Sequence, residues 1–194
     1  MSHASPQAPE NRIPNESDAI PWAARLRFGT RTLLLGLTGI AAAAPLTTKG
    51  LVFNAIALVL TALALMLQLM RKPLGHSVAA QLVIAVAYAI AGATILLAPH
   101  HRALCAYALG AALLTAGAAR FHAAHRALDG ARSAAIAPAV ISGLLGLMAI
   151  TGWPTNAPWQ LGFLIAAELV VGGVSSLQRG LAQWSAQRAA KPSG

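Results

Sequence analysis

The amino-acid sequence predicts an all-α polytopic membrane protein, with six transmembrane helices arranged as three repeated helical hairpins. Three observations carry this expectation. The 194 residues are 57% hydrophobic and 10% charged, whereas an ordinary soluble domain is about 25% charged. Apolar stretches of about 20 residues recur along the chain, the length that crosses a hydrocarbon core about 30 Å thick. Three prolines in tight connections, Pro45, Pro99 and Pro154, are spaced 54 and 55 residues apart. The stretches are rich in Ala and Leu and lack period-2 alternation, which argues against membrane strands.

Residues 1–19 are polar and cannot bury enough apolar surface to order themselves, so a disordered cytoplasmic tail is expected. No short apolar core followed by a small-residue cleavage site opens the chain, and no signal peptide is predicted. Asn15-Glu16-Ser17 fits a glycosylation pattern too short to carry weight on a cytoplasmic tail. Residues 20–28 mix Trp22, Leu26 and Phe28 with Arg25 and Arg27, an interfacial lead-in to the membrane domain at 20–182.

Six spans follow, near residues 30–44, 51–70, 78–98, 103–119, 133–150 and 159–177. The first carries Gly36 and Gly39 and stops at a turn with Pro45. The second holds the isolated polar residue Asn54 and ends at Arg71-Lys72. The third contains Gln81 and Gly92 and stops at Pro99. The fourth contains Cys105 and Gly117 and runs into a basic segment, 120–132. The fifth has Pro138 near its start, then Gly143 and Gly146, and closes at Gly152-Trp153-Pro154. The sixth opens at Pro158-Trp159 and carries Glu168 and Gly172. Residues 183–194 form a short cytoplasmic tail.

The repeat extends beyond the prolines. Gly39, Gly92 and Gly146 precede them by six to eight residues, and Gly36, Ala89 and Gly143 lie three residues earlier still. Sixteen residues after each proline, Thr61-Ala62-Leu63, Thr115-Ala116-Gly117 and Val170-Val171-Gly172 align. Small residues let membrane helices approach closely where lipid offers no hydrophobic drive for association. Gly36, Gly39, Gly92, Gly117, Gly143, Gly146 and Gly172 are therefore candidate helix-packing positions, and Pro45, Pro99, Trp153 and Pro154 candidate turn positions.

Charge sets the orientation. The three tight turns hold only Lys49 and Arg102 of the 14 Lys and Arg residues, leaving 12 on the tails, the longer connections and the adjoining span ends. The positive-inside rule then places both termini in the cytoplasm. The net charge of +9 does not indicate nucleic-acid binding, because the basic residues flank apolar spans and form no patch on a soluble fold. The single cysteine, Cys105, excludes an internal disulfide.

Gly143-Leu144-Leu145-Gly146, Gly152-Trp153-Pro154, Trp159 with Leu161-Gly162, Ala167-Glu168-Leu169 and Gly172 follow one another between residues 133 and 182. In that order and spacing they resemble the HdeD-type acid-resistance membrane proteins, a family of six-span bacterial inner-membrane proteins. Leu35-Gly36 to Pro45 and Ala91-Gly92 to Pro99 match the same template more loosely, so the resemblance covers residues 30–182. His100-His101 and Leu63 depart from it. The resemblance implies an inner-membrane location and a role in surviving acid at the cell envelope. It supplies no molecular mechanism.

Glu168 is the only acid in any apolar stretch and the leading candidate for function. An ionisable group at this depth is costly and faces the bundle interior or a wet cavity. Glu168, Gly172, Ser175 and Arg179 share one helix face. Two roles fit: a protonatable site linked to proton or ion movement, or a buried acid bonded to a neighbouring helix that fixes register. The equivalent repeat positions are Val59 and Leu113. No carboxylate pair or ring is built, which favours the second role. His100 and His101, with Arg102, form a candidate pH-responsive outer turn, since histidine gains charge in acid. As solvated turn residues they would switch nothing. His122 and His125 lie three apart but lack the further ligands a metal site needs; a basic collar meeting anionic lipid heads is the simpler role. Cys105 has no adjoining base.

No Ser-His-Asp order, phosphate loop or metalloprotease helix is present. No enzyme activity, cofactor or metal is therefore expected. The partners implied are the lipid bilayer, a second copy of the chain, or a soluble protein docked on the 120–132 segment. Three functions compete: a non-enzymatic stress-protection protein of the inner membrane, a small proton- or ion-conducting or transport protein using Glu168, and a recruitment module.

Overall fold

The computed structural model describes residues 22–43, 48–70, 76–125, 129–154 and 157–189. Among these, all regular structure is helical: α1 (Trp22–Ala43), α2 (Thr48–Leu69), α3 (His76–Leu97), α4 (Arg102–His125), α5 (Asp129–Thr151) and α6 (Pro158–Ala189). The 1–19 tail, Pro45 and the Arg71-Lys72 connection lie outside the described residues.

Among the described residues, four stretches are long and apolar enough to cross a membrane: Lys49–Leu69, Val78–Leu97, Arg102–His125 and Trp159–Ser185. Six were expected. Among the described residues the other two helices do not meet that measure: Arg25, Arg27 and Arg31 interrupt the first half of α1, and in α5 the stretch Ile136–Thr151 is apolar. Leu34 and Leu37 are nonetheless exposed on α1, as are Ile56 and Leu60 on α2 and Leu82 and Ile90 on α3. Side chains of this kind on the outside are at home in lipid.

Helix ends follow local chemistry. Gly152, at φ 68°, holds the left-handed conformation that closes α5, and its N–H donates to the Met148 carbonyl at 3.0 Å. Pro158 opens α6, where a missing N–H costs nothing. Two boundaries differ from expectation. The arginine-rich lead-in is already helical from Trp22. Helix α6 continues to Ala189, well past residue 182, and Arg188 lies 3.9 Å over the Trp184 ring in that extension.

Helix α1 lies chiefly along α6, α2 along α3, and α4 along α5, while α3 also packs on α4. The chain neighbours α1 and α2, and α5 and α6, touch far less. Leu58, Ile95, Leu109, Leu113, Leu164 and Ile165 are fully buried at the centre. Three contacts of closest approach share one geometry. A Cβ on Gly36 would lie 2.7 Å from Val170 N and 2.9 Å from Ala166 O. One on Gly92 would lie 3.2 Å from Ala55 O, and one on Gly146 would lie 2.9 Å from Leu114 N and 3.0 Å from Gly110 O. Each time the glycine faces backbone about one turn wide on the partner helix together with a branched side chain beside it, Val170, Val59 or Leu114, so a side chain there must push two helices apart.

The other expected packing positions divide. A Cβ on Gly117 would lie 2.9 Å from Ala139 O and 3.0 Å from Gly143 N, and Gly39 faces the Asn54 side-chain amide and Ala166. A Cβ on Gly143 itself would meet nothing within 4 Å. On α6 the close approach falls on Gly173, where a Cβ would lie 2.6 Å from Leu33 N and 2.9 Å from Gly29 O, rather than on Gly172. Gly172 is turned by one residue, about 100° around the helix, and faces Arg120.

Candidate functional site

Four successive helices each send one polar side chain to a common point: Tyr88 from α3, Arg120 from α4, Ser142 from α5 and Glu168 from α6. Tyr88 lies nine residues from the Leu97 end of its helix, Ser142 nine from Thr151, and Glu168 ten from Pro158. At about 1.5 Å per residue all three sit at one depth, about 14–15 Å from the ends joined by the proline turns, which is half of a 30 Å hydrocarbon core. Arg120 comes from further along α4, five residues from its last. Helical side chains lean toward the N-terminus of their own helix, and that lean carries the guanidinium back toward this level.

The acid is matched on both oxygens. Arg120 Nη1 lies 2.6 Å from Glu168 Oε1, and the Tyr88 hydroxyl donates to the same oxygen. Ser142 Oγ stands 2.8 Å from Glu168 Oε2 and 2.9 Å from the Pro138 carbonyl. With one proton it donates to one of them at a time. Arg120 closes the ring, donating through Nη1 to Ser142 Oγ and through Nη2 to the Tyr88 oxygen at 3.1 Å. Gly172 leaves room for this guanidinium, whose Nη2 would sit 3.8 Å from a Cβ there.

Glu168 is 1% exposed, and Tyr88 and Ser142 are equally enclosed. The Arg120 side chain is 20% exposed, so the cluster has one partly exposed edge. Nearer the proline-turn ends of α4 and α6 stand Leu109, Leu113, Leu161, Leu164 and Ile165, an apolar cap whose members are all buried. One carboxylate and one guanidinium leave the cluster neutral. Such a pair is tolerable in a low-dielectric interior only when its remaining hydrogen-bonding positions are filled, and the two hydroxyls fill them.

Of these four, sequence reasoning identified Glu168 alone. Arg120 was expected in the basic collar of the 120–132 segment; instead it belongs to α4 and turns inward. Five more helical residues follow it, which is the signal that places it inside the helix end. Tyr88 stands mid-span, where a buried phenol hydroxyl requires a partner. Ser142 gave no signal beside the small residues around it.

The remaining candidates lie elsewhere. His100 and His101 are exposed in the α3–α4 turn with Pro99, and His101 N–H donates to Ala98 O at 3.0 Å. Trp153 is exposed, and its carbonyl accepts a 2.5 Å hydrogen bond from Gln160 Nε2. The His125 ring meets Phe121 edge-on, 4.5 Å between centroids. Cys105 is buried and directs Sγ to Ala98 O at 3.2 Å. Asn54 Nδ2 ties α1 to α2, donating to Gly39 O at 3.1 Å and to Gly50 O in its own helix at 2.9 Å. Among the described residues no three His, Cys, Asp or Glu side chains come together as a metal site. No family model, curated protein or solved structure matches the chain.

Proposed function

We propose that this chain is a non-enzymatic protein of the bacterial inner membrane that contributes to acid-stress resistance, and that the Glu168 cluster is its interhelical lock. One observation carries the lock: a buried acid whose two oxygens are bonded by side chains from three other helices. Breaking a buried pair from one side costs about 3–5 kcal/mol, enough to hold four helices in one register. The acid-resistance part rests on the resemblance of residues 133–182 to the HdeD-type proteins.

In this proposal all six helices span the bilayer as three hairpins, α1–α2, α3–α4 and α5–α6, with both termini cytoplasmic. Support comes from the three recurring backbone contacts. Gly92 faces α2, Gly146 faces α4 and Gly36 faces α6, so each hairpin's first helix meets the second helix of the hairpin before it, and the last hairpin meets the first. The three glycines are 56 and 54 residues apart, close to the proline repeat. The 12-to-2 division of basic residues supports the orientation.

A second function, proton or ion movement through Glu168, draws on the two hydroxyls and the partly exposed edge at Arg120. The apolar cap weighs against it. Proton flux measured on purified protein in liposomes separates the two: flux that depends on Glu168 would replace the lock with a conduction site.

A further inference from the structure

The ends of α4, α5 and α6 beside the Gly-Trp-Pro turn leave a groove between them of about 330 Å³. It exists because small residues line it. Ala103 and Ala106 of α4, Ala149 of α5 and Ala157 before α6 fill little space, and α5 and α6 touch only thinly. The polar groups are set at its mouth and floor. Arg102 and Tyr107 line it and are exposed, and buried Gln160 lines it with its amide anchored to Trp153 O. The Arg102 guanidinium has no hydrogen-bond or ion-pair partner among the described residues. Among the described residues the acids are remote: Glu168 lies eight residues beyond Gln160 along α6, and Asp129 at the opposite end of α5. The groove therefore joins an uncompensated cation and a phenol hydroxyl to an apolar trough. On the same helices, Leu104 and Leu147 present exposed apolar surface.

We propose that this groove binds an anionic phospholipid, taking its phosphate at Arg102 and Tyr107 and the start of its chains against Ala103 and Ala106. The charge of the mouth selects the phosphate, and a guanidinium is the side chain best suited to hold one. The apolar trough selects a lipid over a free anion. Arg102 opens α4 and Tyr107 lies five residues further along it, about one and a half turns, so the two parts fall at the headgroup–acyl boundary of a bilayer about 30 Å thick. This proposal rests on the membrane location proposed above.

The full chain, extracted in detergent and analysed by native mass spectrometry, is titrated with phosphatidylglycerol, with phosphatidylcholine and with inorganic phosphate. The expected result is retention of phosphatidylglycerol over phosphatidylcholine, with no displacement by inorganic phosphate. Arg102→Gln should weaken the tightest phosphatidylglycerol about fivefold, the share of one basic residue near a lipid surface, and weaken phosphatidylcholine, whose phosphate is offset by its choline, by less. Ala106→Leu, which fills the trough without touching the charge, should weaken both lipids. Unchanged headgroup preference in Arg102→Gln would overturn the proposal, as would displacement by inorganic phosphate. A chain that stays in solution without detergent would refute the membrane location itself, whereas an inserted chain indifferent to headgroup would refute the lipid site alone.

Discussion

Arg120 Nη1 stands 2.6 Å from Glu168 Oε1, so the one acid in the apolar stretches is paired with a cation from near the end of α4. The first prediction follows from that pair. Arg120→Leu leaves the 1%-exposed Glu168 without its countercharge and should destabilise the bundle by about 3–5 kcal/mol. The double variant Arg120→Leu/Glu168→Leu removes both charges and should be more stable than Arg120→Leu alone. Thermal unfolding in one detergent measures the unmodified chain, the two single variants Arg120→Leu and Glu168→Leu, and the double variant. Losses that simply add would show the two residues to be uncoupled.

The second prediction concerns backbone approach. Gly146→Leu and Gly173→Leu place side chains where a Cβ already falls 2.9 Å and 2.6 Å from partner backbone nitrogens. Overpacking of this kind costs about 1–3 kcal/mol or more. Gly143→Ala adds its methyl to open space and should leave stability nearly unchanged. Gly172→Ala should also be mild, because the methyl meets Arg120 Nη2 only at 3.8 Å. Detergent melting curves rank the four. Equal curves would remove the glycines as contact points.

The third prediction is topological. Reporter fusions at Gly194 and in the His100-His101 turn should report opposite sides of the membrane, with Gly194 cytoplasmic. An external Gly194 fusion would invert the proposed orientation.

Much of the fold was legible because lipid imposes a simple demand: long apolar helices with satisfied backbones. The α2, α3, α4 and α6 segments meet it on composition alone. The site was legible only in part, because its members lie far apart in sequence. Glu168 stood out as an acid among apolar neighbours. Tyr88 and Ser142, 80 and 26 residues from it, join it only once four helices are packed. Arg120 was hidden by its company, since a basic residue next to His122, His125 and Arg126 resembles a collar. Gly172 and Gly173 show the same limit at finer scale. A one-residue shift decides which of two glycines meets α1, and a pattern of small residues does not resolve it.

The last prediction separates a lock from a proton-handling site. Glutamine at position 168 keeps the length of the side chain and can still bond Tyr88 and Ser142, but it leaves Arg120 without a negative partner. Tyr88→Phe and Ser142→Ala each remove a hydrogen bond to a charged group, an effect of about 1.5–3 kcal/mol, while leaving the ion pair in place. Glu168→Leu removes the charge and every bond to it. If the cluster acts as a lock, acid survival should fall in proportion to lost stability across these four variants, because loosened packing is the cause of both. A proton-handling site breaks that proportion: Glu168→Gln, which cannot exchange a proton, would lose acid survival completely while retaining more stability than Glu168→Leu. Paired measurements of unfolding temperature and survival after acid challenge decide between the two. The expected outcome is one common line, with Tyr88→Phe and Ser142→Ala nearest the unmodified chain and Glu168→Leu furthest from it.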